Sequence, residues 1–360
     1  MPELGPLRPE RVAVYTLTLP GLAVAERIHR ALPGSRLYVA ERYRPLAPEG
    51  AVPFAEPIRD LVQRTWALHD GHVFVMASGI VLRAIAPLLL DKRVDPAVLV
   101  VDLKGRYFVP LLAGHLGGAN PLARHLAEAL GGEAVLTTGT DAVGAPAPDL
   151  LAKALGARVP DWGPLKAVSA LLVDGRPVGF YADCVDLTPL LRYPMVRVLE
   201  APDPEGVEGM VLFTVRRPFP LPVPALFAHP PALVLGLGCN RGTPLEEIRR
   251  EVRAFLEERG LAWESLARMA TAELKRDEAG LLAFAEETGL PLRFHPAQVL
   301  NAQPIPNPSE VVFRHTGLLG VAEAAVLAEG ARLLVEKTKR GNLTLAAGVL
   351  TLGIPEEALP

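Results

Sequence analysis

The first 142 residues alternate between short β-rich runs and stretches in which apolar residues recur at helical spacing. Residues 12–17 make up the first β-rich run, and Leu22, Ala25, Ile28 and Leu32 then follow at intervals of three or four. Strands that alternate with helices predict an α/β fold with a mainly parallel, doubly wound sheet and helices on both faces. This alternation constrains the architecture more than any other feature of the chain.

One pair of predicted strands breaks the alternation. Residues 97–101 and 106–112 are both β-rich, and only the short turn 102–105 separates them. Parallel neighbours need a crossover of about a dozen residues or more, so this short connection predicts an antiparallel hairpin.

Beyond residue 142 the pattern predicts two further regions. Residues 143–220 hold short helical pieces broken by prolines, which we interpret as a small middle region. This region ends in the proline-rich stretch 216–231, whose spaced prolines predict a semi-rigid extended linker. Strand–helix alternation returns over residues 232–353, which predicts a separate C-terminal α/β domain.

Composition narrows the class of protein. The net charge of −3 provides no overall basic field of the kind that binds nucleic acid. The longest apolar stretches fall far short of the ~20 residues that cross a bilayer, and residues 1–10 lack the apolar core of a signal peptide. Cys184 and Cys239 are the only cysteines, which favours a reducing compartment. We therefore expect a cytoplasmic protein without nucleic-acid or membrane partners.

A further compositional bias has two explanations. Arginine outnumbers lysine, proline is abundant and side-chain amides are scarce. This bias is typical of thermophiles, but a GC-rich genome would favour much the same residues.

Four predicted loops share a chemical character that suits anions. They span residues 77–79, 114–120, 137–141 and 236–242, and we place each after a strand and close to a helix start. Small side chains there leave backbone N–H groups accessible, and the helix dipole favours negative charge. Because ligands of open α/β sheets bind at the carboxyl ends of the strands, we expect the four loops to converge at one rim.

Several bland or rival interpretations remain open for these loops. Ser78 and Asn120 are also typical helix caps, and the threonines at 137 and 138 also suit a plain strand end. The glycines of residues 236–242 resemble a dinucleotide-binding loop only loosely, because the third glycine is displaced and no acidic residue ends a following strand. No Gly-x-Ser-x-Gly elbow, Walker A loop or His-Glu-x-x-His motif is present.

Two of these loops carry a family resemblance. Residues 114–120 (Gly-His-Leu-Gly-Gly-Ala-Asn) and 137–141 (Thr-Thr-Gly-Thr-Asp) are similar to the N-terminal signature of the cobalt-precorrin-5A hydrolase (CbiG) family. Residues 78–87, and in the second half residues 236–242, also resemble that family. Asn240 departs from the pattern, because a second basic residue is common there, so the resemblance predicts weaker carboxylate pairing in this loop.

The resemblance implies a reaction and a substrate. Water would open a δ-lactone on a cobalt-bound macrocycle, and a two-carbon fragment would leave as acetaldehyde to give cobalt-precorrin-5B. The substrate would be a polyanion that carries its own cobalt, so no further cofactor and no protein metal site are expected. Other cobalamin-pathway enzymes are the expected protein partners, and the alternative function is a non-catalytic tetrapyrrole carrier or scaffold of the same pathway.

Lactone hydrolysis needs a base for water and donors for the developing oxyanion. We predict His115 as the base, because its ordinary pKa suits neutral pH, and Asp141 as its orienting partner or as the base itself. The amides of Gly117 and Gly118 are the predicted oxyanion donors. Arginine and lysine side chains would pair with peripheral carboxylates. The full set of predicted substrate-binding residues is Ser78, Gly79, Arg83, Gly117, Gly118, Asn120, Thr137, Thr138, Gly238, Arg241, Lys275 and Glu323.

Overall fold

The β-rich runs of the N-terminal region pair side by side in one sheet. The structure, a computed structural model, describes residues 7–91, 94–114 and 117–359, without the side chains of residues 141, 142 and 357. The chain divides into two units, Met1–Val143 and Gly144–Pro360. Strands of the first unit are β1 (Val12–Thr16), β2 (Arg36–Ala40), β3 (Val52–Phe54), β4 (Gly71–Val75), β5 (Ala97–Val101), β6 (Tyr107–Leu112) and β7 (Glu133–Ala134). Its helices are α1 (Leu19–Ala31), α2 (Ile58–Thr65), α3 (Ser78–Ile85), α4 (Ala119–Leu130) and α5 (Gly139–Val143).

The first sheet has the order β3-β2-β1-β4-β5-β6-β7. Strands β1 to β5 are parallel, whereas β6 runs antiparallel to β5 and β7 runs parallel to β6. The predicted doubly wound sheet and the predicted hairpin are therefore both confirmed.

Helices cover both faces of this sheet, because alternate residues of each strand point to opposite faces. Val14 and Val73 pack in one core with residues of α1 and α4. Tyr15 and Phe74, each one position further along the same strands, pack in a second core with residues of α2 and α3. Every residue of β1, β4 and β5 is buried, as expected for a parallel sheet that is covered twice.

The second unit contains two larger sheets. Strands β8 (Val178–Ala182), β10 (Val196–Leu199), β11 (Gly209–Phe213) and β12 (Ala225–Ala228) form a parallel sheet in the order β10-β8-β11-β12. Helices α6 (Pro148–Ala154) and α7 (Leu165–Val173) precede it. A short parallel pair joins β9 (Val185–Asp186) to β18 (Leu352–Gly353).

The C-terminal sheet of this unit has the order β15-β14-β13-β17-β16. Its strands are β13 (Leu233–Cys239), β14 (Leu266–Ala272), β15 (Leu292–His295), β16 (Arg332–Arg340) and β17 (Leu343–Val349). Its helices are α8 (Leu245–Glu258), α9 (Ala279–Thr288), α10 (Ala297–Asn301), α11 (Glu310–Thr316) and α12 (Ala322–Ala328). Strands β13, β14 and β15 are parallel, and β17 lies antiparallel between β13 and β16.

The middle and C-terminal sheets share one hydrophobic core. Phe180 and Phe213 of the middle sheet belong to the same buried cluster as Leu235 of β13 and Phe255 of α8. The middle region therefore packs as part of the second unit.

The proline-rich stretch 216–231 is not a linker along its whole length. Its proline-free residues Ala225–Ala228 form β12, which pairs with β11 and buries Leu226. These residues retain their amide donors, whereas prolines precede and follow them, and proline next to an edge strand is compatible with a sheet. The prediction of an extended backbone holds, but the strand belongs to the fold.

None of the described helices is both long enough and apolar enough to cross a membrane.

Candidate functional sites in the two units

The predicted loops of the first unit lie at opposite edges of its sheet. Ser78 and Gly79 follow β4, at the carboxyl edge of the parallel strands. The loop after β6 lies at the other edge, because antiparallel pairing places Leu112 opposite Val98 at the start of β5. A strand of five residues spans roughly 15 Å, so the expected convergence at a single rim is wrong for this unit.

Ser78, Gly79 and Arg83 therefore stand apart from the other predicted residues of the first unit. Ser78 is exposed in the first turn of α3, without a side-chain capping bond. The Arg83 guanidinium donates from Nη1 to the carbonyl of Gly79 at 2.8 Å, so it folds back over its own helix.

The loop between β6 and α4 needs its glycines for close packing. A Cβ on Gly117 would lie 2.3 Å from Cβ of Ala113, and a Cβ on Gly114 would lie 2.8 Å from Oδ1 of Asn120. Gly118 has φ 88° at the start of α4, a conformation that favours glycine, and Ala113 has φ 52°. Gly114 and Gly117 are therefore positions at which any Cβ would force neighbouring atoms to move.

Asn120 joins this loop to the segment after β7. It lies inside the first turn of α4 and the cap is Gly118, so the alternative interpretation of Asn120 as a helix cap does not hold, while its predicted contact with substrate stays a prediction. The buried side chain instead donates from Nδ2 to Oγ1 of Thr138 at 2.9 Å, while Thr137 is exposed. Two segments with the predicted signature thus meet at the amino edge of the sheet.

The two predicted catalytic residues cannot be placed in this geometry. His115 lies outside the described residues, and only the backbone of Asp141 is described, within α5. Their roles stay predictions from the sequence.

A cleft of about 560 Å³ opens at this same amino edge, and Gly117 forms part of its wall. Its walls come from the segments that lead into β4 and β5 and from the loop between β6 and α4, which we call the glycine loop. The lining residues are Leu7, Trp66, Ala67, His69, Asp70, Leu90, Val94, Asp95, Pro96 and Gly117.

His69 is the histidine among the described residues of this wall, and sequence reasoning missed it. Its Nε2 hydrogen-bonds with the Tyr38 hydroxyl at 3.1 Å, and burial lowers the pKa of its imidazole. The ring is therefore neutral at neutral pH. Nothing in the pattern around residue 69 distinguishes it from a loop residue before a strand, so only the tertiary structure reveals it.

The carboxylates of this cleft are already engaged by the protein. Asp70 accepts two hydrogen bonds from Arg11, at 3.0 and 2.7 Å, and this pairing lowers the pKa of the carboxyl. Asp95 accepts from the amide of Leu90 at 3.1 Å.

The second unit brings its predicted glycine-loop and strand-end residues together. Gly238, Arg241 and Lys275 all line one cleft of about 420 Å³ at the carboxyl edge of β13 and β14. Strand β16 ends at this edge and β17 begins there, so a hairpin contributes to the wall as well. The lining residues are Gly238, Cys239, Asn240, Arg241, Leu274, Lys275, Ser309, Val311, Val312, His315, Thr316, Gly320, Val321, Lys337, Lys339, Gly341, Asn342, Leu343 and Thr344.

Glu278 is the buried centre of this edge. Its carboxylate accepts from the amide of Gly242 at 2.9 Å, from Nζ of Lys275 at 3.1 Å and from Nη1 of Arg241 at 3.4 Å. Burial opposes ionisation of Glu278, but these donors outweigh it and lower the pKa. Arg241 is also bidentate to the exposed carboxylate of Asp277, at 2.7 and 2.5 Å. Both predicted carboxylate-binding cations therefore already have acidic partners.

Gly236 and Gly238, in the loop 236–242 of the second unit, differ in why glycine suits each position. A Cβ on Gly236 would lie 1.9 Å from the carbonyl oxygen of Ala322, so glycine there lets α12 pack on the strand. A Cβ on Gly238 would meet only ordinary contacts, the nearest at 3.5 Å to Val321. Packing does not require glycine at 238, and its missing side chain leaves space in the cleft.

Three family profiles cover most of this chain. The profile of the cobalamin synthesis G N-terminal region matches residues 60–141, that of the cobalamin biosynthesis central region matches 146–230, and that of the cobalamin synthesis G C-terminus matches 233–348. The cobalt-precorrin-5A hydrolase of Salmonella typhimurium is 32% identical over 96% of this chain and 99% of its own length. The enzyme of the same name from Priestia megaterium is 30% identical, with 94% of both chains covered.

The chain belongs to the cobalt-precorrin-5A hydrolase family.

The family prediction made from residues 114–120 and 137–141 is thus confirmed. A shorter relative, Protein CobE of a Sinorhizobium species, is 40% identical over 126 residues, which are 33% of this chain and 82% of that protein. The whole lining of the second cleft, residues 238–344, lies within the C-terminal profile of the family.

Glu323, which was predicted to bind substrate, has a structural role in this cobalt-precorrin-5A hydrolase family member. Glu323, the second residue of α12, is buried and accepts from Nδ2 of Asn307 at 2.8 Å and from the amide of Lys337 at 2.8 Å. These contacts join the loop before α11 to β16. Glu323 is buried and is not among the described residues that line the cleft, so the structure gives it internal partners in place of the predicted contact with substrate.

Cys239 lines the same cleft. Burial raises the pKa of its thiol, which is therefore protonated at neutral pH and a weak nucleophile.

Proposed function

We propose that this chain hydrolyses cobalt-precorrin-5A, opening its δ-lactone and releasing a two-carbon fragment as acetaldehyde to give cobalt-precorrin-5B. The observation that carries this proposal is the end-to-end match to the hydrolase of Salmonella typhimurium, which covers 96% of this chain. A match confined to one region would support only a shared module, whereas this match includes both units.

The first-unit cleft is our choice for the hydrolytic step. Its wall includes Gly117, whose loop carries the predicted base His115. In the proposed step His115 takes a proton from water as the water oxygen bonds to the lactone carbonyl carbon. The amides of Gly117 and Gly118 receive the negative charge that develops on the carbonyl oxygen. The carbonyl re-forms as the bond from its carbon to the lactone ring oxygen breaks, and that oxygen takes the proton held by His115. The hydroxyl-bearing carbon then leaves as acetaldehyde: its hydroxyl loses a proton, its carbon–carbon bond to the macrocycle breaks, and the macrocycle keeps the electron pair and takes up a proton.

His69 provides the rival base within the same cleft. Its imidazole is held neutral by burial, so it has a nitrogen lone pair available at neutral pH. Replacement of each histidine separately distinguishes the two assignments.

We also propose that the cobalt ion reaches the protein inside the macrocycle, without a separate cofactor, and that the reaction takes place in the cytoplasm. The family resemblance supports the first statement, and the sparse, widely separated cysteines support the second.

The test is anaerobic incubation of the purified full chain with cobalt-precorrin-5A, followed by mass analysis of the macrocycle and an assay for acetaldehyde. We expect product from the wild type, none above background from His115→Ala, and product from His69→Gln. Tetrapyrrole binding should persist in His115→Ala, because the histidine acts on water. Product formation by His115→Ala at the wild-type rate would remove it from the mechanism.

The alternative function is a carrier or scaffold that binds the macrocycle without changing it. If the wild type binds the macrocycle but releases no acetaldehyde, under conditions in which the hydrolase of Salmonella typhimurium is active, that alternative is favoured.

A further inference from the structure

The wall of the second-unit cleft carries positive charges without negative ones among its described residues. Arg241, Lys275, Lys337 and Lys339 all line it, and no aspartate or glutamate is among the described residues of the lining. A wall with this composition attracts anions, provided that its cations are not already neutralised from behind.

Most of these cations are engaged by the protein itself. Arg241 pairs with Asp277 and Glu278, and Lys275 pairs with Glu278. The ammonium of Lys337 donates to the carbonyl oxygen of Asn307. Lys339, by contrast, forms no hydrogen bond or ion pair with any described residue and is exposed.

The register of the sheet directs Lys339 into the cleft. It lies opposite Thr344 of β17, which in turn lies opposite Gly238 of β13, so these three residues share one face. The next residue of β16, Arg340, points to the other face, where it pairs with Glu258 of α8 at 2.7 Å. Lys339 therefore lies on the same face of the sheet as Gly238, two strands away, and both residues line the cleft.

The same cleft presents apolar side chains to solvent. Leu274, after β14, is 41% exposed, and Val311, at the start of α11, is 67% exposed. An isolated exposed apolar side chain needs no explanation, but two of them in the wall of a cationic cleft match a ligand with an apolar face and an anionic edge.

We propose that this cleft binds the rim of the macrocycle, with Lys339 paired to a peripheral carboxylate and with Leu274 and Val311 packed against the ring. Arg241 and Lys275 then have a different role from the predicted one, because they hold the Gly242 turn through Glu278 instead of binding carboxylates. The identity of the ring rests on the proposed function, whereas the ligand class, an apolar ring edged with carboxylates, rests on the cleft itself.

The test uses the full-length chain and uroporphyrin I, a metal-free tetrapyrrole edged with acetate and propionate groups, in fluorescence titrations. We expect Lys339→Gln to weaken binding by roughly 5- to 10-fold and to reduce its dependence on salt, since one partly exposed ion pair is lost. Leu274→Asp should weaken binding by at least about 10-fold, because it places a carboxylate against the ring.

Matched variants control for general effects of charge and surface. Lys166→Gln removes an exposed lysine from α7, and Leu191→Asp changes a leucine that is 65% exposed elsewhere in the unit. Both should bind like the wild type. Wild-type affinity in Lys339→Gln and Leu274→Asp, or no uroporphyrin binding by the wild type, would overturn this site.

Turnover of cobalt-precorrin-5A separates this proposal from the function. Lys339→Gln should raise KM with kcat nearly unchanged, because the ion pair forms equally in the ground and transition states. An unchanged KM would count against the cleft while leaving the hydrolase assignment intact. If the wild type releases no acetaldehyde while Lys339→Gln still weakens uroporphyrin binding, the proposed function is contradicted and the proposed binding cleft is supported.

Discussion

The two sheets that carry clefts use opposite edges. In the second unit, the cleft lies where β13 and β14 end, at the carboxyl edge of the parallel strands. In the first unit it lies where β4 and β5 begin, at the amino edge. The general rule for open α/β sheets predicts the carboxyl edge in both cases.

The direction of the antiparallel strands explains the difference. In the C-terminal sheet, the hairpin between β16 and β17 turns at the carboxyl edge of β13, so its residues join the cleft there. In the first sheet, the hairpin between β5 and β6 also turns at the carboxyl edge, but the glycine loop follows β6 and so emerges at the amino edge. One reversal of chain direction therefore moves a signature loop from one side of the sheet to the other.

The largest expected effect concerns the buried centre of the second edge. Glu278→Ala leaves Lys275 largely buried without its partner, so we expect the free energy of unfolding to fall by about 3–5 kcal/mol. Asp277→Ala removes an exposed partner of the same Arg241 and should cost less than about 1 kcal/mol. Urea denaturation read by hydrogen exchange over residues 232–353 measures both. Equal losses in the two variants would show that this edge is not organised around Glu278.

The glycine loop at the amino edge of the first sheet should control catalysis. Gly117→Ala places a Cβ 2.3 Å from Cβ of Ala113, well inside van der Waals contact, so the loop must shift, and we expect kcat/KM to fall about 100-fold. Gly353→Ala, at a position with open space around it, should stay within about 2-fold of the wild type. Wild-type kinetics for Gly117→Ala would separate this edge from the reaction.

Acid should affect the two units in different pH windows. Burial lowers the pKa of His72 in β4 from 6.5 to about 3, so the unfolded chain binds this proton first as the pH falls. The stability that neutral His72 contributes is full above about pH 6.5 and is lost toward pH 3, by up to about 1.4 kcal/mol per pH unit. The pKa of Glu278 lies below its ordinary 4.5, so protonation of this carboxylate destabilises the second unit only below about pH 4.5.

His72→Phe keeps an aromatic ring that can stack on Trp66 and Phe74 but removes the titrating group. Hydrogen exchange measured from pH 7 to 5 should show weaker acid sensitivity in the first unit of this variant, with the second unit unchanged. If the stability of the first unit against hydrogen exchange falls equally with pH in the variant and in the wild type, another group causes the acid response.

The smallest effect is expected at the carboxyl edge of the first sheet. Arg83 folds over its own helix at the edge remote from the glycine loop, so Arg83→Ala should change kcat/KM by less than about 3-fold. A loss of 10-fold or more would show that substrate reaches this edge as well, and the contrast between the two sheets would then fail.

Local patterns predicted much of this molecule. The hairpin at residues 97–112 followed from the length of its turn, and the doubly wound sheet followed from the alternation of periods. The family followed from the resemblance of residues 114–120 and 137–141 to its N-terminal signature, and Gly117 in that signature also meets a local steric demand. Predictions that needed long-range geometry failed: the predicted loops of the first unit lie at opposite edges of its sheet, and part of the proline-rich stretch pairs as β12.

The sequence by itself determined most of the strands, helices and glycine turns, because those properties depend largely on neighbours within a few residues. Tertiary structure alone decided which edge each turn occupies, that His69 lines a cleft, and that Arg241 is paired while Lys339 has no partner among the described residues. Those properties depend on strand direction and on contacts between residues far apart in the chain, and no local pattern of side chains encodes either one.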